Sequence, residues 1–340
     1  MTPSFEFDIL NRVVINYLFT AECFDQSDDS ALYFQGLRCF MKIAVAGGLG
    51  FTGGYIVPQL ISAGHDVTVF DSRNESDFNF EGACYVRADL MKEGSWQKFI
   101  ADNEVIINLA GVNIFQRWSD KKKKLLYDSR IKTTKNIVDT LPQTGGEVKL
   151  LINASATGFY GFHKDEIIDE STPAGKDFLA GICMDWENEA LKAEGKGVRV
   201  VILRFGTVFG REGGAFPELK KNFRMLMGAR LGSGEQWFPW IHIEDLARIV
   251  AAAFEDESMQ GPYNCTSPGI VTNRDLTKIM SEVTGRPVII PFVPGIALRL
   301  ILGEFGGVII KGQRAVPAKL AGQGFNFRFP ELKAALEDLM

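Results

Sequence analysis

Met41–Arg73 reads MKIAVAGGLGFTGGYIVPQLISAGHDVTVFDSR. Its order is strand, glycine turn, helix, strand. Ile43, Ala44, Val45 and Ala46 make the short apolar run that a buried parallel strand needs. Gly47, Gly50 and Gly53 follow at the spacing GxxGxxG. Tyr55–Ala63 has apolar residues at helical spacing, and Gly64 is a natural stop. Val67–Phe70 is a second strand, with Asp71 at its end.

Each part has a physical task. A strand that runs straight into a helix needs a turn that only glycine fits comfortably. The missing side chains let the backbone approach a pyrophosphate, and the helix N-terminus offers that anion free N–H groups and a positive dipole end. Gly47, Gly50, Phe51, Thr52 and Gly53 are therefore the expected diphosphate cradle. An acid at the end of the second strand can hold a pair of ribose hydroxyls. Glycine turn, helix and acid in this order are the context of a dinucleotide fingerprint, so the expected cofactor is NADP or NAD.

Length and composition bound the rest. A chain of 340 residues suits one large or two modest domains, and 46% hydrophobic with 23% charged residues is ordinary for a globular protein. A net charge of -5 argues against nucleic acid as a partner. No apolar run reaches transmembrane length, so no membrane partner is expected. Cys23, Cys39, Cys84, Cys183 and Cys265 are scattered and lack metal spacing. They read as free thiols of a reducing, cytoplasmic compartment, and no metal site is expected. Residues 1–40 are acid-rich, unlike a transit peptide, and read as a weakly ordered extension ahead of the first strand.

After Asp71 strands and helices keep alternating. Strands are expected at Ala83–Arg87, Val105–Leu109, Val148–Asn153 and Val198–Leu203. Helices are expected at Ser95–Asp102, Asp120–Leu141 and Asp177–Ala193. Lys121–Lys124 read as a solvated helix face. This rhythm predicts an α/β fold: a Rossmann-type doubly wound parallel sheet with a smaller C-terminal α+β substrate lobe. The NAD(P)-binding domain is expected over 41–235, with 236–260 returning to it, and the lobe over 261–340.

Several segments then carry a family resemblance. They are AGGLGFTGG at 46–54, NLAGVNI at 108–114, RW at 117–118, DSRIKTT at 128–134, SATGFYG at 155–161, DFLAGICMDWE at 177–187, LRFGTVFGREGGA at 203–215, LGSGEQWFPWIHIEDL at 231–246 and KGQRAVPAKLAGQGFNFRFPEL at 311–332. Together they resemble the extended short-chain dehydrogenase/reductase superfamily. More narrowly they resemble its atypical epimerase family, related to sugar-nucleotide epimerases and ending in that family's own C-terminal domain. The resemblance implies NAD(P) binding but no particular substrate.

It also implies a catalytic Ser/Thr, with a Tyr four residues before a Lys on one helix face. Ser155 or Thr157 matches the hydroxyl position. The Tyr and Lys places fall on Cys183 and Glu187, so the usual proton relay is absent. A carboxylate there cannot lower a neighbouring acid's pKa as an ammonium does. Tyr160 follows Ser155 and Thr157 and is either a pocket aromatic or a catalytic phenol. Tyr160 and Lys164 share YxxxK spacing, but Gly161 between them argues against a helix. Cys183 is either a reactive thiol or helix packing, and His242 either a general base or a structural histidine.

On the cofactor side Asp71 favours NAD, whereas Ser72 and Arg73 suit the 2′-phosphate of NADP. Asp89 and Leu90 are expected to flank the adenine. Asn108, Leu109, Ala110 and Gly111 are expected to line the cofactor. Arg130 is a candidate for ribose or phosphate contact, or for pairing with Asp128 or Glu187. Arg204, Arg211, Arg230, Gln236, Trp237, Trp240 and Arg314 offer a lobe for an anionic or sugar-nucleotide ligand. Two functions follow: an NAD(P)-dependent oxidoreductase or epimerase-like enzyme with a non-standard site, acting on an unidentified small molecule, or a non-catalytic NAD(P)-sensing protein.

Overall fold

The structure is a computed structural model that describes residues 40–143 and 145–340. The expected weak order of the N-terminal extension falls, Phe40 apart, outside the described residues.

The fingerprint folds in the expected order: β1 (Lys42–Ala46), the glycine turn, α1 (Phe51–Ser62) and β2 (Asp66–Asp71). α1 starts at Phe51, earlier than apolar spacing marks it, because Gly53 and Gly54 carry no side chain to show the period. The alternation runs on through β3 (Cys84–Arg87), α2 (Trp96–Ala101), β4 (Val105–Asn108), α3 (Asp120–Thr140), β5 (Leu150–Ala156), α4 (Phe178–Leu191) and β6 (Arg199–Phe205). A last strand, β7 (Gly261–Cys265), joins β6.

All seven strands are parallel, in the order β7-β6-β5-β4-β1-β2-β3. The order reverses between β1 and β4, which opens a crevice beyond their carboxyl ends. Ala46 lies beside Phe70 on one side and Asn108 on the other. Gly47, Asp71 and Leu109 therefore share one rim of the sheet. β1 shows the two-faced burial of such a strand. Ile43 and Val45 pack with Ile56, Val57 and Leu60 of α1, while Ala44 and Ala46 pack on the other face with Ile137 and Val138 of α3.

Beyond β6 the chain forms α5 (Phe216–Arg224) and α6 (Ile243–Glu255), then β7 and the C-terminal helices. The helices are α7 (Asn273–Thr284), α8 (Gly295–Leu302), α9 (Glu304–Ile309), α10 (Ala318–Gly322) and α11 (Leu332–Asp338). The sequence boundary at residue 261 is corrected here, because 261–265 is a sheet strand. Its residues GPYNC look like a turn, and only the pairing with β6 makes them a strand. The lobe also takes α5 from the earlier half. Phe216 and Phe223 share a core with Leu276 and Met280 of α7 and Leu332 and Leu336 of α11.

α6 opens on an acidic pair, Glu244 and Asp245, that does not cap it. His242 caps it, Nδ1 accepting from the Glu244 N–H at 3.2 Å. The acids hold the C-terminal segment instead. Asp245, fully buried, accepts from the N–H groups of Arg328 (2.7 Å) and Phe329 (2.9 Å). Glu244 accepts from Arg328 Nη1 at 2.6 Å.

Candidate functional site

The glycine turn is built as a cradle. Gly47 has φ +76°, and its N–H donates to the Phe70 carbonyl at 2.7 Å. A Cβ there would stand 2.8 Å from Ala110 Cα. A Cβ on Gly53 would stand 2.5 Å from both Cα and O of Gly48, so Gly53 lets α1 lie on the turn. Gly50 faces open space apart from the Gly47 carbonyl at 3.1 Å. It is the N-cap of α1, with no side-chain cap bond and no acid in the first turn. The first amides of α1, Phe51 and Thr52 among them, have no intrahelical acceptor and nothing anionic competing for them. The Phe51 ring is spent elsewhere: a Cβ on Gly210 or Gly213 would meet it at 2.5 and 2.2 Å.

Arg73 leans back over this turn, and its Nη1 donates to the Leu49 carbonyl at 2.6 Å. Asp71 is nearly buried at 8% exposure. Its Oδ1 accepts from the Arg73 N–H at 3.2 Å and lies 3.8 Å from Arg73 Nε, so Arg73 answers the acid's charge. Tyr85 of β3 holds the loop by donating to the Arg73 carbonyl at 2.9 Å, a role with no local signal in the sequence. Ser72 is exposed beside them. Asp89 turns away to Lys92 at 2.8 Å, and Leu90 is buried with its carbonyl bonded to Asn136.

The Asn108 side chain turns into the core instead of toward the rim. It is fully buried and donates to Thr134 Oγ1 (2.8 Å) and Asn153 Oδ1 (2.7 Å), tying β4 to α3 and β5. Leu109, Ala110 and Gly111 do reach the rim, half-buried or exposed. Arg130 pairs with neither Asp128 nor Glu187. It donates to the carbonyls of Leu126 and Val112, both at 3.1 Å, and lies 5.3 Å from the Trp186 ring. Burial lowers its pKa. Asp128 belongs to Lys124 and Lys132. Of the four lysines opening α3, Lys121, Lys122 and Lys124 are exposed, while Lys123 pairs with Glu304.

The expected catalytic residues meet in one buried network. Ser155 donates to Glu187 Oε1 at 2.6 Å. Arg204 grips the same carboxylate with both edges of its fork, Nε to Oε1 at 2.9 Å and Nη2 to Oε2 at 2.7 Å. Arg204 Nη1 donates to the Tyr160 hydroxyl at 2.9 Å, which donates in turn to Asn264 Oδ1 of β7 at 2.6 Å. The guanidinium lies 3.5 Å from the Phe159 ring centroid.

At the place that the resemblance gives to a lysine stands Glu187, and Arg204 of β6 brings a cation to it. Arg204 is thus corrected from a lobe residue facing ligand to the partner of Glu187. Burial works against its charge, yet the bonds it donates to Glu187 raise its pKa overall. Tyr160 is 1% exposed, and burial pushes its phenol up to about 12. Cys183 faces Ser155, and burial, then the Glu187 charge, push its thiol up to about 12. Burial thus holds both protons more tightly than in a free phenol or thiol, and the Tyr160 hydroxyl is enclosed by its partners. Thr157 keeps its hydroxyl outside this network, while its carbonyl accepts from Gln313. Gly161, at φ +70°, ends the short turn 157–160 and leaves Lys164 exposed, so Tyr160 and Lys164 share no helix face.

His242 is structural. It is 2% exposed, its ring centroid lies 4.0 Å from that of Phe329, and its Nε2 lies 3.4 Å from Asp338 Oδ2. Burial lowers its pKa to about 4; Asp338 pulls the other way, and Arg328 and Arg211 add to the lowering. A histidine depressed in the fold stays neutral there while the unfolded chain takes up a proton below about 6.5. Its contribution is therefore complete above that pH and lost as pH falls toward 4. Urea titrations at pH 7 and pH 4.5 are expected to show wild type losing up to about 3 kcal/mol more than His242→Asn, which keeps a cap acceptor. Equal acid losses in the two proteins would contradict this.

The remaining lobe residues separate. Arg211 bonds the Asp338 carbonyl and Trp240 is core, whereas Arg314 stacks on Trp237 at 4.4 Å. Arg230 lies 5.7 Å from the Phe292 ring, and Gln236 donates to the Leu231 carbonyl at 2.9 Å. A cleft of about 450 Å³ opens between the start of α4 and the α8–α9 pair. Trp118, Phe178 and Leu179 line one side, and Arg299, Val308 and Lys311 the other. Sequence reasoning did not single out Phe178, Arg299 and Lys311 as lining a cleft, though RW and KGQR lay within the quoted segments.

Residues 43–266 match the NAD dependent epimerase/dehydratase family, and residues 293–339 match a domain of unknown function, DUF1731. The Arabidopsis thaliana epimerase family protein SDR39U1 homolog, chloroplastic, is 35% identical over 303 residues, covering 88% of this chain and 87% of that protein. Epimerase family protein YfhF of Bacillus subtilis is 36% identical over 302 residues, covering 88% and 98%. The crystal structure of human epimerase family protein SDR39U1 (isoform 2) with NADPH matches at a TM-score of 0.77 and 29% identity, covering 88% of this chain and 99% of that one.

Proposed function

Since the chain belongs to the NAD dependent epimerase/dehydratase family, we propose that it binds NADP(H) and serves hydride transfer on a small anionic carbonyl or alcohol compound, nucleotide sugars included, without a Tyr–Lys relay. The observation that carries this reading is Arg73 laid across a glycine turn whose helix start is bare. The residues fit the cofactor: Gly50 leaves room for the diphosphate, the first amides of α1 point at it, and Arg73 with Ser72 suits the 2′-phosphate. The related human protein was crystallised with NADPH.

When bound, the nicotinamide supplies the hydride chemistry. The chain positions it with Leu109, Ala110 and Gly111 at the rim. Thr157, 5% exposed, keeps its hydroxyl outside the closed network and is the residue left to meet a substrate oxygen, its carbonyl held by Gln313. The free thiols Cys84, Cys183 and Cys265 support a reducing compartment such as the cytoplasm; the plant relative's name places that protein in the chloroplast. No helix among the described residues is long and apolar enough to cross a membrane.

Fluorescence titration with NADPH and NADH tests the reading. NADPH is expected to bind more tightly, and Arg73→Ala to weaken NADPH about tenfold, the loss of one charge-assisted contact, while leaving NADH unchanged. Absence of binding by either nucleotide would end the reading. A second reading, a non-catalytic NAD(P) sensor, is favoured by the burial of Ser155, Tyr160 and Cys183 in a closed network. Bound NADPH that no panel of carbonyl compounds oxidises would favour the sensor.

A further inference from the structure

The cleft between α4 and the α8–α9 pair has a lining that selects its own ligand class. Its walls are apolar and mostly flat: Trp118, Phe162, Phe178, Leu179 and Val308. Trp118 and Phe178 meet at 5.5 Å with their planes 67° apart. Among the described residues no Ser, Thr, Asn, Gln, His or Tyr lines the cleft. A polyhydroxylated sugar needs several such groups to replace its water.

The charges are unequal in what they are free to do. Asp177 is consumed as the cap of α4, accepting from the N–H groups of Leu179 (3.0 Å) and Ala180 (3.2 Å). Glu304 is paired with Lys123. Arg299 and Lys311 have no carboxylate within 4 Å among the described residues. Lys311 instead stands 4.5 Å above the Phe162 ring. With Glu304 balanced by Lys123, the two cations Arg299 and Lys311 face the single charge of the capping Asp177, so the mouth of an apolar cleft carries surplus positive charge.

The cleft also adjoins the proposed reaction site. Leu179 and Cys183 of α4 lie within 3.6 and 3.8 Å of where a Cβ on Gly158 would stand, directly after β5. From this we infer that the cleft binds a flat, apolar compound with one anionic group, an aromatic or unsaturated carboxylate, in preference to a sugar. Its rings lie against Trp118 and Phe178, and its carboxylate meets Arg299 and Lys311. As a substrate assignment this rests on the NADP(H)-binding reading above; as a binding site it does not.

The test uses the full chain, with and without saturating NADPH, titrated by calorimetry with 2-naphthoate, its neutral analogue 2-naphthamide, and UDP-glucose. Expected is binding of 2-naphthoate about tenfold tighter than the amide, with UDP-glucose failing to displace it. Arg299→Glu and Lys311→Glu, both at exposed positions, are expected to abolish that preference while leaving the amide's affinity intact. Trp118→Ala is expected to weaken both ring compounds, with circular dichroism confirming the fold. Equal affinity for acid and amide, no binding of either, or a naphthoate affinity unmoved by the two charge reversals would overturn the inference. Displacement by UDP-glucose would do the same. Charge-dependent naphthoate binding without any NADPH binding would leave the cleft standing and remove the cofactor reading alone.

Discussion

Arg204→Ala is expected to lower the stability of the fold by about 3–5 kcal/mol, read as a shift in the urea midpoint, because it strands the Glu187 carboxylate. That carboxylate is 4% exposed and would keep only the Ser155 hydroxyl as a partner from the network. The Tyr160 hydroxyl would lose a donor as well. Removing both charges together, as in Glu187→Leu with Arg204→Met, is expected to recover most of the loss, since no unpaired ion remains. Glu187→Lys, the residue that the resemblance implies at this place, is expected to be worse than either single neutral change: it sets an ammonium against the Arg204 guanidinium. Midpoints for Arg204→Ala within error of wild type would show that the pair contributes nothing.

Gly53 and Gly54 are neighbours in α1 for which opposite outcomes are expected. Gly53→Ala places a methyl 2.5 Å from the backbone of Gly48. The helix must then lift from the turn, costing about 1–3 kcal/mol and spoiling the diphosphate cradle. NADPH affinity is expected to fall at least about tenfold. A Cβ on Gly54 meets nothing within 4 Å. Gly54→Ala is expected to stabilise the chain by about 0.5–1 kcal/mol through helix propensity, with NADPH affinity unchanged. Paired unfolding and binding curves check both, and a Gly53→Ala protein that binds NADPH normally would mean the cradle lies elsewhere.

The glycine turn was legible in the sequence because its constraints are local. Spacing, a strand before it and an acid after it all lie within one unit, and the structure keeps that order. The six strands of the alternating part were legible for the same reason, whereas β7 was not, since its pairing with β6 spans the whole of α5 and α6. The site was less legible. That Glu187 and Cys183 depart from the family pattern could be read, but not what answers the glutamate. Its partner Arg204 sits on another element, and the final acceptor Asn264 lies 104 residues from Tyr160. Asn108 looked like a cofactor contact by position, yet its inward rotamer depends on the registry of β4 with β5, which places it beside Asn153. The cleft was hidden because its two sides come from the start of α4 and from helices near the chain's end.

The grip of Asp245 on the backbone of Arg328 and Phe329 bears on how the molecule can be divided. Ser267 just after β7 donates to the Pro330 carbonyl at 2.8 Å, and Glu170 accepts from the Lys319 N–H at 3.2 Å. The tail is stitched back into the nucleotide half at several points. What family comparison parses as two modules is mechanically one body, and a protein shortened before residue 326 would leave a buried carboxylate without its amides. Neither segment is a separable cassette, and shuffling the tail between relatives would require carrying the opening of α6 with it.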